Sequence, residues 1–375
     1  MKLEVLSKSR IDNAFLNEVI DCIHADVSRA RPQEERSILN QIKEDVLYRL
    51  EHGTFRQGLP NYAMQENEYN FLVQNDKKVW CDYLIFRYQF EVYPKLKKLT
   101  VIPSHVILEP VSYCNLRCTM CFQIDETFTK DKALMGAMDF DLFKRIIDQM
   151  VEKGSRSLTL AARGEPTLHP QFGELLAYAK GKFFDFKMNT NATRLNEQKC
   201  HQILQSEVTE LVFSVDSYFK EEYENIRKGG KFEKVLEHII LFKKIREEHY
   251  TKSKCRTRIS GVKVNPDMDI EKFVAFWSQY VDYVVCVPNV DRWDTYNNPP
   301  SNRKTPCHIL WQRMYIWYDG GANPCDYDYK SLLKVGNLKE ENIADIWKSD
   351  FYSQLRSDHL TEKRGCHKPC DRCSF

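Results

Sequence analysis

No stretch of this 375-residue chain is apolar for long enough to cross a bilayer, which excludes a membrane-spanning helix. Charge of one sign is also missing. Lys and Arg number 55 against 53 Asp and Glu, a formal net charge of +2, so no field that would gather nucleic acid or an anionic membrane is expected. The basic stretches Lys95, Lys97, Lys98 and Lys243, Lys244, Arg246 lie among acidic or apolar residues and read as solvated helix faces. Met1-Lys2-Leu3-Glu4 is polar and lacks the apolar core of a signal peptide, so a cytoplasmic location is the expectation. Low-complexity tracts and internal repeats are absent. The length allows two or three domains and an ample core.

Cysteine, by contrast, is plentiful, with thirteen in the chain. In a secreted protein they would read as disulfides; without an export signal they read better as metal or redox sites. Cys22, Cys81, Cys200, Cys255 and Cys286 stand singly and read as small buried apolar residues, Cys286 being the one to watch. The others form two groups. Cys114, Cys118 and Cys121 lie within Tyr113-Cys114-Asn115-Leu116-Arg117-Cys118-Thr119-Met120-Cys121, separated by three residues and then by two. So short a loop can place three thiolates on three corners of an iron–sulfur cube and leave the fourth iron open to chemistry, whereas electron-transfer clusters close all four corners with cysteine. A zinc or disulfide cluster is the alternative, but zinc sites usually draw paired ligands from two separate knuckles. The second group, Cys307, Cys325, Cys366, Cys370 and Cys373, lies toward the C-terminus.

Periodicity places elements around these groups. Val106-Ile107-Leu108-Glu109 reads as a buried strand, and 139–151 as a helix capped by Asp139, with Phe140, Phe143, Ile146, Ile147 and Met150 at helical spacing. From about 101 to 300, short apolar strands at 158–160, 186–188, 211–214, 258–260 and 284–287 alternate with helices at 172–180, 197–205, 232–248 and 270–280. Alternation of this kind predicts a parallel sheet with helices outside, and about six repeats rather than eight predict an open, partial barrel. Residues 1–100 read as mainly helical, with Leu16, Val19, Ile20 and Ile23 on one face and Ile42, Val46, Leu47 and Leu50 on another. A loop is expected at 53–61. The aromatic run Trp80, Tyr83, Phe86, Tyr88, Phe90, Tyr93 reads as a helix bracing the core. A polar, proline-bearing linker at 291–305 leads into a last module, 306–375.

Further motifs sit where the parallel strands end, the place where such sheets bind ligands. Ala161-Ala162-Arg163-Gly164-Glu165-Pro166-Thr167-Leu168 follows one strand, Met188-Asn189-Thr190-Asn191-Ala192-Thr193 ends the next, and Ser214-Val215-Asp216-Ser217 ends a third. Beyond them comes Tyr223-Glu224-Asn225-Ile226-Arg227-Lys228-Gly229-Gly230. Gly164 permits close backbone approach, Glu165 is an acceptor for charged donors, and Ser214 and Asp216 share a strand face. Each has a bland alternative: an Asn-rich turn at 189–193, a helix cap at Arg227. Cys286, Asp291 and Arg163 also lie near expected strand ends, as structural residues or substrate contacts.

Strand, cysteine loop, helix, and these motifs in this order closely resemble the radical S-adenosylmethionine (radical SAM) superfamily. The resemblance implies a partial (β/α)6 TIM-like barrel in which Cys114, Cys118 and Cys121 hold a 4Fe-4S cluster whose open iron takes S-adenosylmethionine. Met120, Phe122, Gly164, Glu165, Asn191, Ser214, Asp216 and Arg227 are the implied cofactor contacts. Glu165 would meet the methionine ammonium, Asp216 the ribose, and Arg227 the methionine carboxylate. Two departures stand out. Arg163 replaces the first glycine of a Gly-Gly-Glu-Pro motif, which raises the prospect that it reaches an anionic substrate, and Ala192 stands where glycine is common.

Cys307, the Asp319-Gly320 turn between apparent hairpin strands, Cys325 and the late cysteines resemble the auxiliary-cluster domains called SPASM and twitch. Val335-Gly336-Asn337-Leu338 and a helix at 343–358 precede those late cysteines. The implied ligands of one auxiliary 4Fe-4S cluster are Cys307, Cys325, Cys370 and Cys373, with Cys366 left over; structural zinc is the alternative. The implied activity is abstraction of hydrogen by a 5′-deoxyadenosyl radical from a small-molecule or carbohydrate substrate, with the auxiliary cluster taking part in net oxidation. A flavodoxin- or ferredoxin-type electron donor is implied as partner. Two other readings are a peptide-modifying maturase and a non-catalytic two-cluster electron carrier.

Overall fold

A computed structural model describes residues 3–4, 11–26, 29–56, 61–290 and 293–374. Asp291 and part of the loop expected at 53–61 lie outside the described residues. The chain divides into two compact units, Leu6–Thr100 and Val101–Phe375, the latter joined by Met1–Val5.

The smaller unit carries helices α1 (Asn13–Asp26), α2 (Gln33–His52), α3 (Glu66–Gln74) and α4 (Trp80–Glu91), with no strand among its described residues. Leu16, Val19, Ile20 and Ile23 of α1 are buried as expected. On α2 the buried stripe is Ile38, Leu39, Ile42 and Val46. Leu47 is exposed instead, because one residue beyond Val46 turns the side chain about 100° off the stripe. The aromatic run forms α4, and its rings build this unit's own core: Tyr83 stacks on Phe71, with ring centroids 3.6 Å apart.

The larger unit is built on six parallel strands: β1 (His105–Leu108), β2 (Ser157–Leu160), β3 (Asp185–Thr190), β4 (Glu210–Ser214), β5 (Arg256–Lys263) and β6 (Tyr283–Pro288). Each pairs in parallel with the next in sequence order. The connecting helices are α5 (Phe140–Glu152), α6 (Phe172–Ala179), α7 (Glu197–Gln205), α8 (Lys220–Ile226), α9 (Phe232–His249) and α10 (Ile270–Trp277). On α5 the predicted apolar face is buried apart from Phe140, and Asp139 caps the helix by accepting from the Asp141 and Leu142 amides.

The C-terminal region extends this same sheet. Strand β7 (Arg313–Ile316) pairs in parallel with β1, opposite its whole length. It returns through a turn at Gly320, whose φ is +84°, to antiparallel β8 (Gly321–Asn323) and then β9 (Gly336–Asn337). The far edge, beyond β6, is covered by the antiparallel pair Leu3–Glu4. The helix expected at 343–358 is two helices, α11 (Ile343–Trp347) and α12 (Asp350–Leu360), because Ser349 stops the first and caps the second through the Tyr352 amide. Among the described residues, no helix is long and apolar enough to cross a membrane.

Candidate active site and metal centres

The cysteine loop leaves β1 and is pinned by the segment that follows α8. Arg117 and Cys118 pair antiparallel with Lys228 and Arg227, and the Thr119 amide donates to the Ile226 carbonyl at 2.9 Å. At the end of β2, Gly164 lies against the loop backbone: a Cβ there would stand 2.2 Å from the Val111 carbonyl oxygen and 2.5 Å from that of Tyr113. Only glycine fits this crossing. The sulfurs already meet donors. The Leu116 amide lies 3.4 Å and Asn191 Nδ2 3.7 Å from Cys114 Sγ, while an Arg227 guanidinium nitrogen lies 4.0 Å from Cys118 Sγ. Burial pushes the Cys114 thiol up to about 12 and the Cys118 thiol to about 11. Each needs a bound cation to become a thiolate at neutral pH.

The polar residues at the strand ends are largely engaged with one another. Glu165 is buried, and four protein donors reach its carboxylate: the Thr167 amide and hydroxyl and the Thr190 hydroxyl on one oxygen, the Asn191 amide on the other. It thus brackets the ends of β2 and β3, while the oxygen that accepts from Asn191 keeps a second lone pair. Asn191 continues the bracket to Asn115 Oδ1 at 3.1 Å. Ala192 adopts the left-handed conformation that glycine would take, φ +61°, so the glycine-type turn survives the substitution.

Asp216, expected at a ribose, is fully buried. One oxygen accepts from the Val262 amide at 2.9 Å and the other lies 2.7 Å from Arg227 Nε. That contact is an ion pair by distance, but its N–H is not aligned on the oxygen, so neither atom makes a regular hydrogen bond. Burial opposes the Arg227 charge, but Asp216 outweighs it and holds the guanidinium protonated. Ser214 is half-buried at the end of β4, opposite Ser260.

Arg163 does not reach toward a substrate. Its side chain is 1% exposed and grips Glu109, at the end of β1, through Nε at 2.7 Å and a terminal nitrogen at 2.6 Å. The other terminal nitrogen donates to the Tyr329 carbonyl at 2.9 Å, and the guanidinium lies 4.3 Å from the Trp317 ring centroid. Arg163 therefore ties β1 and β2 to the C-terminal region. Phe122 is similarly employed, stacked on Tyr329 with centroids 4.7 Å apart. Met120 is half-buried. Cys286 is buried on β6, opposite Leu3. Sequence reasoning missed Glu109 as a partner, although a carboxylate ending an apolar strand was the signal for it. It also missed Gln123, whose amide ties the Ser112 and Arg163 carbonyls at 2.7 and 2.6 Å.

Cys307, Cys325, Cys370 and Cys373 line one cavity, which encloses about 450 Å³ of empty space including its mouth. Ile309, Leu310, Leu333, His359 and Arg364 help to line it. Cys366 is exposed and is not part of that lining. The Tyr327 amide donates to Cys325 Sγ at 3.3 Å, and the Cys307 amide donates to His359 Nδ1 at 3.2 Å. Burial raises the Cys370 thiol to about 12 and raises Cys307 and Cys325 as well, with the Arg364 charge pulling Cys307 and Cys370 the other way.

Both cysteine groups fit iron–sulfur clusters. Three buried or half-buried thiols share a loop already supplied with N–H donors, and four more surround a mostly apolar cavity.

Residues 108–276 match the radical SAM superfamily, and residues 307–374 match an iron–sulfur cluster-binding domain, SPASM. A Pyrococcus furiosus protein, the tungsten-containing aldehyde ferredoxin oxidoreductase cofactor-modifying protein, is 25% identical over 322 residues, 72% of this chain and 87% of its own. Among solved structures, Streptococcus suis SuiB bound to its precursor peptide SuiA superposes with a TM-score of 0.55 at 15% identity, covering 99% of this chain and 94% of its own. BtrN in complex with AdoMet and 2-DOIA gives 0.51 at 17% identity, covering 74% and 95%. At such identities these structures establish likeness of fold. The two domains bring a 4Fe-4S cluster with S-adenosylmethionine and further iron–sulfur chemistry at the C-terminal end. The chain thus carries a radical SAM domain at 108–276, followed by a C-terminal SPASM iron–sulfur cluster-binding domain at 307–374.

Proposed function

We propose that this enzyme oxidises a polar small molecule of carbohydrate type, with one auxiliary cluster on Cys307, Cys325, Cys370 and Cys373 accepting the second electron. The observation that carries the reading is the cavity lined by those four cysteines with Cys366 outside it. Four cysteines complete the ligands of one cube and leave no iron open to substrate, which suits electron acceptance. When bound on Cys114, Cys118 and Cys121, the first cluster and S-adenosylmethionine supply the 5′-deoxyadenosyl radical that takes a hydrogen atom. For a secondary alcohol, loss of that hydrogen atom, one further electron and one proton gives a ketone, a two-electron oxidation.

The chain's own residues support a hydroxyl-rich substrate. Along β3 and β5, half-buried residues alternate with buried ones. In register, Asn189 stands opposite Val212, Val212 opposite Arg258, and Ser214 opposite Ser260. The half-buried face across β3 to β5 thus offers the Asn189 amide and the Ser214 and Ser260 hydroxyls, while Arg258 lies against Glu210. Gly164, Asn191 and Arg227 hold the cysteine loop against those ends.

A second reading, modification of a peptide, is favoured by the resemblance to SuiB, which spans 99% of the chain and was solved with a peptide bound. Against it, the described part of the Leu6–Thr100 unit is helical, without the three-strand ribbon of a winged-helix leader-binding domain. Anaerobically reconstituted enzyme with S-adenosylmethionine and dithionite should release 5′-deoxyadenosine, and Cys118→Ala should abolish it. Deuterium passing into the nucleoside from carbon-labelled sugars, with a carbonyl product, supports the first reading. Transfer only from labelled peptides would replace it with the second, and an iron-loaded enzyme that never releases the nucleoside would leave an electron carrier.

A further inference from the structure

One histidine brings an unspent donor to the auxiliary cavity. His359, on α12, is 1% exposed and lines the cavity with the four cysteines. Its Nδ1 accepts from the Cys307 amide at 3.2 Å. An imidazole whose Nδ1 accepts carries its proton on Nε2, and that nitrogen is buried with no hydrogen-bond partner in the protein. Leaving such a donor unpaired costs about 1–3 kcal/mol, so a buried N–H of this kind calls for an acceptor that the polypeptide does not provide. The neighbouring histidine differs: His367 Nε2 is paired with Asp358 at 2.8 Å. The other residues that line the cavity are chiefly apolar side chains and the cysteines themselves, with Tyr327 and Arg364, which makes sulfur the acceptor that the lining favours.

We propose that His359 is a positioning and tuning residue of the auxiliary cluster: Nδ1 fixes the backbone of Cys307, and Nε2–H donates a hydrogen bond to a sulfur of the cluster or of a ligating thiolate. The inference rests on the assignment of that cluster to Cys307, Cys325, Cys370 and Cys373. Hydrogen bonds to cluster sulfurs are among the determinants of reduction potential. A donor favours the state with more negative charge on sulfur, which is the reduced one. Loss of Nε2–H should therefore make the cluster harder to reduce.

The test uses the full chain with Cys114, Cys118 and Cys121 all changed to alanine, so that only the auxiliary cluster contributes. This protein should hold about four iron atoms per chain. Paramagnetic resonance during a redox titration should show that adding His359→Phe lowers the reduced-to-oxidised ratio at fixed potential roughly tenfold, about 59 mV for one electron. His359→Gln, which keeps both an acceptor and a donor, should recover much of the shift. An unchanged midpoint in His359→Phe at full iron content would overturn this inference and leave the cluster assignment standing. Absence of iron from the triple-alanine protein would overturn both. Should His359→Phe fail to retain iron, double-resonance spectra of the triple-alanine protein grown with ¹⁵N-histidine decide the matter. A nitrogen coupling that disappears in His359→Gln supports the hydrogen bond, and its absence refutes it.

Discussion

Replacing Arg163 with methionine separates a structural arginine from a substrate-binding one. The guanidinium and the Glu109 carboxylate are 1% and 0% exposed. Methionine keeps much of the length and removes every charged contact. Glu109 is then left buried with only the Arg163 amide at 3.1 Å and the Tyr318 amide at 3.2 Å as donors. Breaking a buried pair from one side costs about 3–5 kcal/mol, because the remaining charge is uncompensated. Changing Glu109 to glutamine in the same protein removes that charge and keeps an acceptor for one of the two amides, which donate to different carboxylate oxygens. The double variant should therefore cost less than the single one, about 1–3 kcal/mol, the worth of the neutral hydrogen bonds that stay lost, including the one to the Tyr329 carbonyl. Urea unfolding of the iron-free proteins is the assay, followed by tryptophan fluorescence, since Trp317 lies 4.3 Å from the guanidinium. Iron-free protein avoids coupling of unfolding to cluster loss. A single variant that loses less than about 1 kcal/mol while its KM for an anionic substrate rises would refute the reasoning.

Three further outcomes follow from the same geometry. Gly164→Ala should cost about 1–3 kcal/mol and lower the yield of 5′-deoxyadenosine, because its Cβ meets backbone oxygens at 2.2 and 2.5 Å; the auxiliary iron, counted chemically, should be unaffected. Cys366→Ser should retain all the iron of the parent, whereas Cys370→Ser should lose about half, one cube of two, and equal losses in both would place Cys366 among the ligands. Burial works against ionisation of Glu210, but Lys187 and Arg258 outweigh it and bring its pKa from 4.5 down to about 2. A folded value below the unfolded one contributes stability that is present above pH ~4.5 and lost as the pH falls toward ~2. The shift alone would give about 3 kcal/mol; burial lowers the Lys187 amine at the same time, an opposing cost, so about 1–3 kcal/mol is expected. Glu210→Gln should flatten the acid-unfolding limb across that range.

The strands and helices of the larger unit were legible because their signals are local. An apolar run of four to six residues between helices of period 3.6 admits few assignments, and the observed elements differ from the expected ones chiefly at their ends. The cysteine groups were legible because ligand chemistry resides in the residue type itself. Pairing among the polar side chains was not legible. A carboxylate at a strand end reads as a free acceptor, yet Glu165 accepts from Thr190 and Asn191, some 25 residues away in sequence. Arg163 is neutralised by Glu109, 54 residues earlier. The break between α11 and α12 was written locally, in Ser349-Asp350, but was overridden by the apolar residues on either side. Leu47 was misplaced because four apolar residues within nine fit more than one helical stripe.

These pairings add to what the strand-end residues do. Glu165 and Asp216 accept from the Asn191 and Val262 amides and so help to fix the backbone at the strand ends. Arg227 makes the point most strongly. Its backbone pairs with Cys118, its guanidinium reaches toward the same residue's sulfur, and Asp216, from the end of another strand, holds the charge in place. Gly164 and Asn191 approach the loop from two more strands. The geometry of the three thiols is thus dictated by residues that ligate no metal. Substitution of Asp216 or Arg227 should consequently show first as lost iron at the first cluster, and weaker S-adenosylmethionine binding at full iron occupancy would point instead to direct contact with the nucleoside.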